Sequence, residues 1–216
     1  MQTLDGPRHD ARSSEPAQKL IVLLHGYGAD GNDLIELAKI WGPLVPDAAF
    51  VAPHAPDACS IAPSGRQWFD LSTKDPQAYQ QGVLAVAPAL NKFIDQEVVR
   101  LQIKAKDVLL AGFSQGAMMA LHVGLRRSIP PKGILSLAGR LISPHLLEKE
   151  IMGTPPVCLI HGEDDEVVPI FNMVQAEKAL RGFDIELSTL KRPGLAHNID
   201  EESVHFAGNF ITKVFE

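Results

Sequence analysis

The chain has 216 residues, of which 45 % are apolar and 21 % charged, a composition typical of a globular protein and a length that suits one domain over residues 1–216. Its formal net charge is −6 with no run of Lys and Arg, which argues against nucleic acid, because neutralising phosphates needs clustered cations. No apolar stretch approaches the ~20 residues of a membrane span.

Strand-like and helix-like segments alternate along the chain. The segment before Lys19 is compatible with an edge strand but does not require one. Lys19 to Leu24 is a continuous apolar run, as a strand covered on both faces needs. Asn32 to Ile40 reads as a short helix and Ala48 to Ala52 as a brief strand. Pro53 to Asp75 has no apolar period and is far longer than a usual connection, which predicts a functional surface loop. From Gln77 to Leu101, Val83, Val86, Leu90, Phe93, Ile94 and Val98 recur at spacings of three and four, one buried stripe on a long helix. Val108 to Ala111, Gly133 to Ala138, Val157 to Ile160 and Ile185 to Leu190 read as strands. Gln115 to Arg127, Phe171 to Leu180 and Val204 to Val214 read as helices. The alternation predicts an α/β fold, a mostly parallel central sheet with helices on both faces, and ligands beyond the carboxyl ends of its strands. The connection from Gly139 to Pro156 is too short for a cap domain, so an open site is expected.

Gly112-Phe-Ser114-Gln-Gly116 carries the most chemical information. The G-x-S-x-G pattern sits between an apolar strand and a helix, where a tight turn lifts a serine hydroxyl out at the end of a sheet. Read alone, it is also a simple glycine-rich turn. A serine is a weak nucleophile at neutral pH and needs a base, with an acid to hold that base in one tautomer. On such a sheet these follow in the order Ser, then Asp or Glu, then His. His161-Gly-Glu-Asp-Asp165-Glu-Val-Val-Pro169 crowds four acids into one loop after a strand. Asp165, next to the anchoring Val-Val-Pro, is the chosen acid and Asp164 the alternative; a calcium loop lacks its spaced ligands. His197, after Pro193 and Gly194 and before the last helix, is the chosen base, with His205 as its rival inside that helix. The oxyanion of a tetrahedral intermediate needs two N–H donors already in place. Gln115, at the start of a helix, supplies one, and Tyr27 in the glycine-rich loop His25-Gly-Tyr-Gly-Ala-Asp-Gly31 the other. That loop has the spacing of a dinucleotide-binding turn but no acidic residue closing a following strand, and His25 is read as its support. Trp68, Phe69, Leu141, Val167 and Leu195 are candidate lining for an apolar acyl groove, although Trp68 and Phe69 serve equally well as core anchors. No H-E-x-x-H or paired C-x-x-C is present, so no metal site is expected. Cys59 and Cys158 read as two reduced thiols, and polar Met1 to Pro16 lacks an apolar signal core, which together point to the cytoplasm.

Leu-His25-Gly-Tyr-Gly, Gly-Phe-Ser114-Gln-Gly, His161-Gly-Glu-Asp-Asp165-Glu-Val-Val-Pro and Gly-Leu-Ala-His197 together resemble the phospholipase/carboxylesterase family of α/β-hydrolases, which includes acyl-protein thioesterases. The likeness runs from Lys19 to the C-terminus and takes in Gln67-Trp-Phe-Asp70 and Ala52-Pro-His-Ala-Pro56. It implies Ser114, Asp165 and His197 as a triad, and Tyr27 and Gln115 as oxyanion donors. It further implies hydrolysis of small-molecule or lipid-like acyl esters or thioesters with no cofactor; relatives often pair as homodimers, and the oligomeric state of this chain is left open. An acyltransferase shares the covalent intermediate and differs in its acceptor; a binding module on this fold usually lacks a triad member. The chain departs from the family where Ala138-Gly-Arg140-Leu-Ile-Ser-Pro144 replaces a Cys-Trp-Leu-Pro-like stretch and where Glu166 follows the acid in place of Pro. Both departures bear on the acyl group preferred.

Overall fold

A computed structural model describes residues 3–73 and 75–216. Met1, Gln2 and Lys74, which fall within the N-terminal stretch and the long loop discussed above, lie outside the described residues. In chain order the elements are β1 (Arg8–His9), β2 (Lys19–Leu24), α1 (Gly31–Leu34), α2 (Leu37–Trp41), β3 (Ala48–Val51), β4 (Asp57–Cys59), β5 (Ala62–Gln67) and α3 (Pro76–Leu101). Then come β6 (Val108–Phe113), α4 (Gln115–Gly124), β7 (Gly133–Leu137), α5 (Leu147–Glu150), β8 (Val157–Gly162), α6 (Phe171–Arg181), β9 (Leu187–Arg192) and α7 (Glu201–Phe215).

Seven strands form one sheet in the order β1-β3-β2-β6-β7-β8-β9. All neighbours run parallel except β1, which pairs antiparallel with β3 at the edge. The expected mostly parallel sheet is therefore present, and the undecided N-terminal segment contributes an edge strand. Successive side chains on a strand point to opposite faces, and both faces are apolar. Leu20, Val22 and Leu24 pack with α3, α4 and α6, whereas Ile21 and Leu23 pack with α1, α2 and α7. This is why β2 reads as an unbroken apolar run and why its middle residues are fully buried.

The long loop after β3 is a correction. It holds a β-hairpin, β4–β5, paired antiparallel with an irregularity at Ala58/Cys59. No apolar alternation announces it, because four of its nine strand residues are solvent-exposed and only two are buried. Its anchor is Arg66, whose guanidinium donates to Ala55 O (2.6 Å) and Pro56 O (2.7 Å). Its backbone exchanges hydrogen bonds with the loop after β2: Gly28 N–H donates to Arg66 O (2.9 Å) and Arg66 N–H to Ala29 O (2.8 Å). Smaller differences lie at element ends. The helix expected over Asn32 to Ile40 is split into α1 and α2. The last strand lies two residues later than expected, at Leu187–Arg192. Between β7 and β8 stand only a 3₁₀ turn at Pro144–Leu146 and α5, so no cap layer covers the strand ends among the described residues.

Candidate active site

Ser114 follows the last residue of β6 and caps α4. Its backbone lies at φ 54°, ψ −116°, a conformation L residues avoid and one that costs of order 1–3 kcal/mol unless the surroundings impose it. The surroundings do. Ser114 N–H donates to Leu137 O on the neighbouring β7 (2.8 Å). A Cβ on Gly116 would stand 1.9 Å from Leu24 O, so only glycine lets α4 start this close to β2. The turn is over-determined by strands on both sides, and the Ser114 side chain faces the loops beyond them.

His197 comes from the turn between β9 and α7. Its Nε2 lies 2.9 Å from Ser114 Oγ and its Nδ1 2.7 Å from Asp165 Oδ2. A carboxylate only accepts hydrogen bonds, so Nδ1 carries the proton and Nε2 presents its lone pair to the serine hydroxyl. The Phe113 ring packs against the imidazole, centroids 4.9 Å apart. Of the four acids after β8, Asp165 alone is buried; Glu163, Asp164 and Glu166 face solvent. Its Oδ1 accepts from Val167 N–H (2.9 Å) and Val168 N–H (2.8 Å), which turns the carboxylate inward. The loops of acid and base are tied by Glu163 N–H to Arg192 O (2.9 Å) and Asp164 N–H to Leu195 O (3.1 Å). They touch because β8 ends in Gly162, where a Cβ would meet Leu195 O at 2.1 Å. His205, the rival base, is exposed on α7.

The loop after β2 crosses directly over the serine, since a Cβ on Gly26 would lie 3.5 Å from Ser114 Cβ. Its Gly28 and Ala29 N–H groups are taken by Arg66 O and Gly26 O. That leaves the Tyr27 N–H without an acceptor among the described residues. The Tyr27 phenol sits 3.3 Å from Ser60 Oγ on the hairpin turn. His25 is fully buried. Its Nδ1 donates to Gly26 O (2.8 Å) and its Nε2 accepts from Ala55 N–H (2.9 Å). Burial holds its pKa below the ordinary value, so the ring stays neutral and binds the loop together.

Gln115, the first residue of α4, has a buried side chain that accepts from Trp68 N–H (2.9 Å) and donates to Phe69 O (2.6 Å). It thereby fixes the segment after β5 to the start of α4. Trp68 and Phe69 are corrections as groove lining: they belong to the core, Trp68 with no exposure and its indole N–H donating to His25 O (2.9 Å). Val167 is largely exposed on the acid loop, Leu195 is half-buried beside His197, and Leu141 borders a cavity of about 320 Å³ next to the strand ends.

One contact had no sequence signal beyond its place in the acid motif. His161, at the end of β8, donates from Nε2 to Val168 O (2.6 Å), with Asp165 Oδ2 at 3.3 Å. Burial keeps its pKa low, so this ring too is neutral and props the carboxylate from behind. Among the described residues no cluster of His, Cys, Asp and Glu is arranged to hold a metal ion.

The family model described as Phospholipase/Carboxylesterase matches residues 11–215. The chain belongs to that family. Its relatives include the esterase YpfH of Escherichia coli (strain K12), 31 % identical over 89 % of this chain and 82 % of its own length. Another is the acyl-protein thioesterase 1 of Saccharomyces cerevisiae, 29 % identical over 94 % of this chain and 96 % of its own. Among solved structures, the crystal structure of esterase PE8 superposes with a TM-score of 0.94 at 39 % identity, covering 98 % of this chain and 99 % of that one. No described helix is long and apolar enough to cross a membrane.

Proposed function

We propose that this phospholipase/carboxylesterase-family chain, acting as one domain, hydrolyses carboxylic esters through an acyl-enzyme on Ser114. The observation that carries the reading is the unbroken hydrogen-bonded chain Ser114 Oγ, His197 Nε2, His197 Nδ1, Asp165 Oδ2, with links of 2.9 and 2.7 Å. His197 takes the hydroxyl proton as Oγ bonds to the acyl carbon. Asp165 holds the ring in the tautomer that leaves Nε2 free and stabilises the imidazolium that forms. The carbonyl oxygen gains charge between the N–H groups of Tyr27 and Gln115, the latter at a helix start where N–H groups have no intrahelical partner. Loss of one such donor costs about 10²–10³ in rate. The C–O bond then breaks as Nε2 returns its proton to the leaving alcohol. Water, deprotonated by His197, repeats the attack and releases the acid.

Thioesters are the second substrate class, favoured by the relatives named acyl-protein thioesterase 1; the chemistry is unchanged with a thiol leaving. The substrate is a small or lipid-like acyl ester, since no cap restricts its approach. Cys59 and Cys158 are buried and unpaired, which suits a reducing cytoplasm. The test is covalent labelling with a fluorophosphonate alongside turnover of 4-nitrophenyl esters. The native chain is expected to label and turn over, and Ser114→Ala to do neither. An unlabelled native chain, or a Ser114→Ala protein with full turnover, refutes the reading.

A further inference from the structure

The cavity bordered by Leu141 has a character the ester reading does not explain. It holds about 320 Å³, within the range of small-ligand sites. Three segments wall it: the first turn of α3, residues Arg140–His145 after β7, and the first turn of α6. Two of these segments continue directly from the site. Arg140 lies three residues beyond Leu137, whose carbonyl accepts the Ser114 N–H, a reach of at most roughly 10 Å along the backbone. Phe171 opens α6 two residues after Pro169, the end of the acid loop.

The lining is cationic and amide-rich. It contains Arg140 and His145 with Gln77, Gln80, Asn172 and Gln175 and, among the described residues, no carboxylate, in a chain with 26 acidic residues. Arg126, Arg127, Arg181 and Arg192 each pair with a carboxylate. Arg140 does not: its guanidinium stacks over the Tyr79 ring, 5.4 Å from the centroid, and no acid pairs with it among the described residues. A cation–π contact takes up no carboxylate and leaves the guanidinium N–H groups available to a ligand. The loop that carries it is held in place. Ser143 sits at φ 50° and donates from Oγ to Gln80 Oε1 (3.1 Å). The helix starts beside it are already occupied: at α6 the Asn172 and Met173 N–H groups donate to Pro169 O (2.8 Å) and Ile170 O (3.0 Å), and at α3 the Asp75 carboxylate accepts from Gln77 N–H (2.9 Å). A guanidinium with no counter-ion among the described residues, set in an amide-rich cavity, forms a receptor for an oxyanion. The apolar residues Leu141, Ile142 and Phe171 complete the walls.

We propose that this cavity binds an anionic group of the substrate, a carboxylate or phosphate-type oxyanion carried on a small acyl ester, and that Arg140 is its specificity-determining residue. The inference rests on the ester-hydrolase reading and names its substrate class. The stretch Ala138 to Pro144, where the sequence departs from its family resemblance, is the stretch that supplies Arg140.

The experiment compares kcat/KM for charged and neutral partners in two arms. One arm sets 4-nitrophenyl hydrogen glutarate against its neutral methyl ester, with the anion on the acyl side. The other sets 4-acetoxybenzoate against its methyl ester, with the anion on the leaving group. The native enzyme is expected to favour the charged member in one arm, which identifies the side of the scissile bond that the cavity holds, and to lose that preference as salt is raised. Arg140→Gln lowers the charged-to-neutral ratio in that arm about tenfold or more, and Arg140→Lys, which keeps the charge without the fork, less. A ratio that Arg140→Gln leaves unchanged in both arms overturns the proposal, including the case in which both members slow equally. A native chain that turns over none of the four esters refutes the ester reading instead. The cavity is then judged by calorimetric binding of 4-nitrophenyl hydrogen glutarate to Ser114→Ala. Its retention in Ser114→Ala/Arg140→Gln, or its absence from Ser114→Ala, overturns the inference.

Discussion

His25 and His197 both follow parallel strands at the same end of one sheet, yet their surroundings make them different chemical objects. His25 has no exposure, and both ring nitrogens are engaged with backbone groups, so its proton has nowhere to go. His197 keeps a side chain 17 % exposed, with one nitrogen held by a buried carboxylate and the other against a hydroxyl. A histidine becomes a base when its hydrogen-bond partners can themselves exchange a proton, and a structural pin when they are amides. The difference arises from the loops. The loop of His25 is closed by the β4–β5 hairpin, whereas that of His197 opens onto solvent beside an acid loop.

The largest expected effect breaks the pair on the His197 side. His197→Ala removes the proposed base, and kcat for a 4-nitrophenyl ester is expected to fall by about 10⁶-fold, the order seen when a triad member is deleted. His205→Ala, exposed on the following helix, serves as the matched control and leaves kcat within about twofold. Equal losses in the two variants end the assignment of the base.

On the other side, His25→Phe leaves the Ala55 N–H unpartnered and the Gly26 carbonyl with only the Ala29 N–H (3.3 Å). A buried orphan costs about 1–3 kcal/mol, which a lower Tm reports. The displaced Tyr27 turn lowers kcat about 10- to 100-fold, because small misplacements near the reacting atoms are expensive. A loss as deep as that of His197→Ala places His25 in the chemistry and abolishes the contrast.

The smallest effect on activity concerns a third histidine. His122, within α4, is buried with an unpartnered Nδ1, and its pKa is pushed down to about 4, chiefly by burial and secondarily by Arg126. Its ordinary value is 6.5, so between pH 6.5 and about 4 the unfolded chain binds a proton that the folded chain refuses. Stability is fully present above 6.5 and is lost as pH falls through that window, by at most on the order of 3 kcal/mol. His25 and His161, also shifted down by burial, act in the same direction. Denaturant unfolding across this range is expected to show a shallower acid limb in His122→Leu, with turnover at neutral pH little changed.

Much of this was legible in the chain. The unbroken apolar run of β2 and the three-and-four spacing on α3 report burial directly, because a strand covered on both faces and a helix covered on one have fixed periods. Ser114, Asp165 and His197 stood out because each closes a strand in the order this sheet type imposes. The hairpin did not stand out, because its stability comes from Arg66 and from backbone bonds to a distant loop and not from its own side-chain pattern. Trp68 and Phe69 looked equally suited to groove and core; the Gln115 side chain, 46 and 47 positions away, draws them inward.

The sequence by itself determined the layered fold and the short set of residues able to carry nucleophile, acid and base, since periodicity and residue chemistry are local properties. Only the tertiary structure decided which of four neighbouring acids turns inward and which histidine meets the serine. It alone brought Arg140 into a cavity without a counter-ion. Those outcomes depend on distances of about 3 Å between segments up to 83 residues apart, and such distances are fixed by packing, which no local pattern encodes.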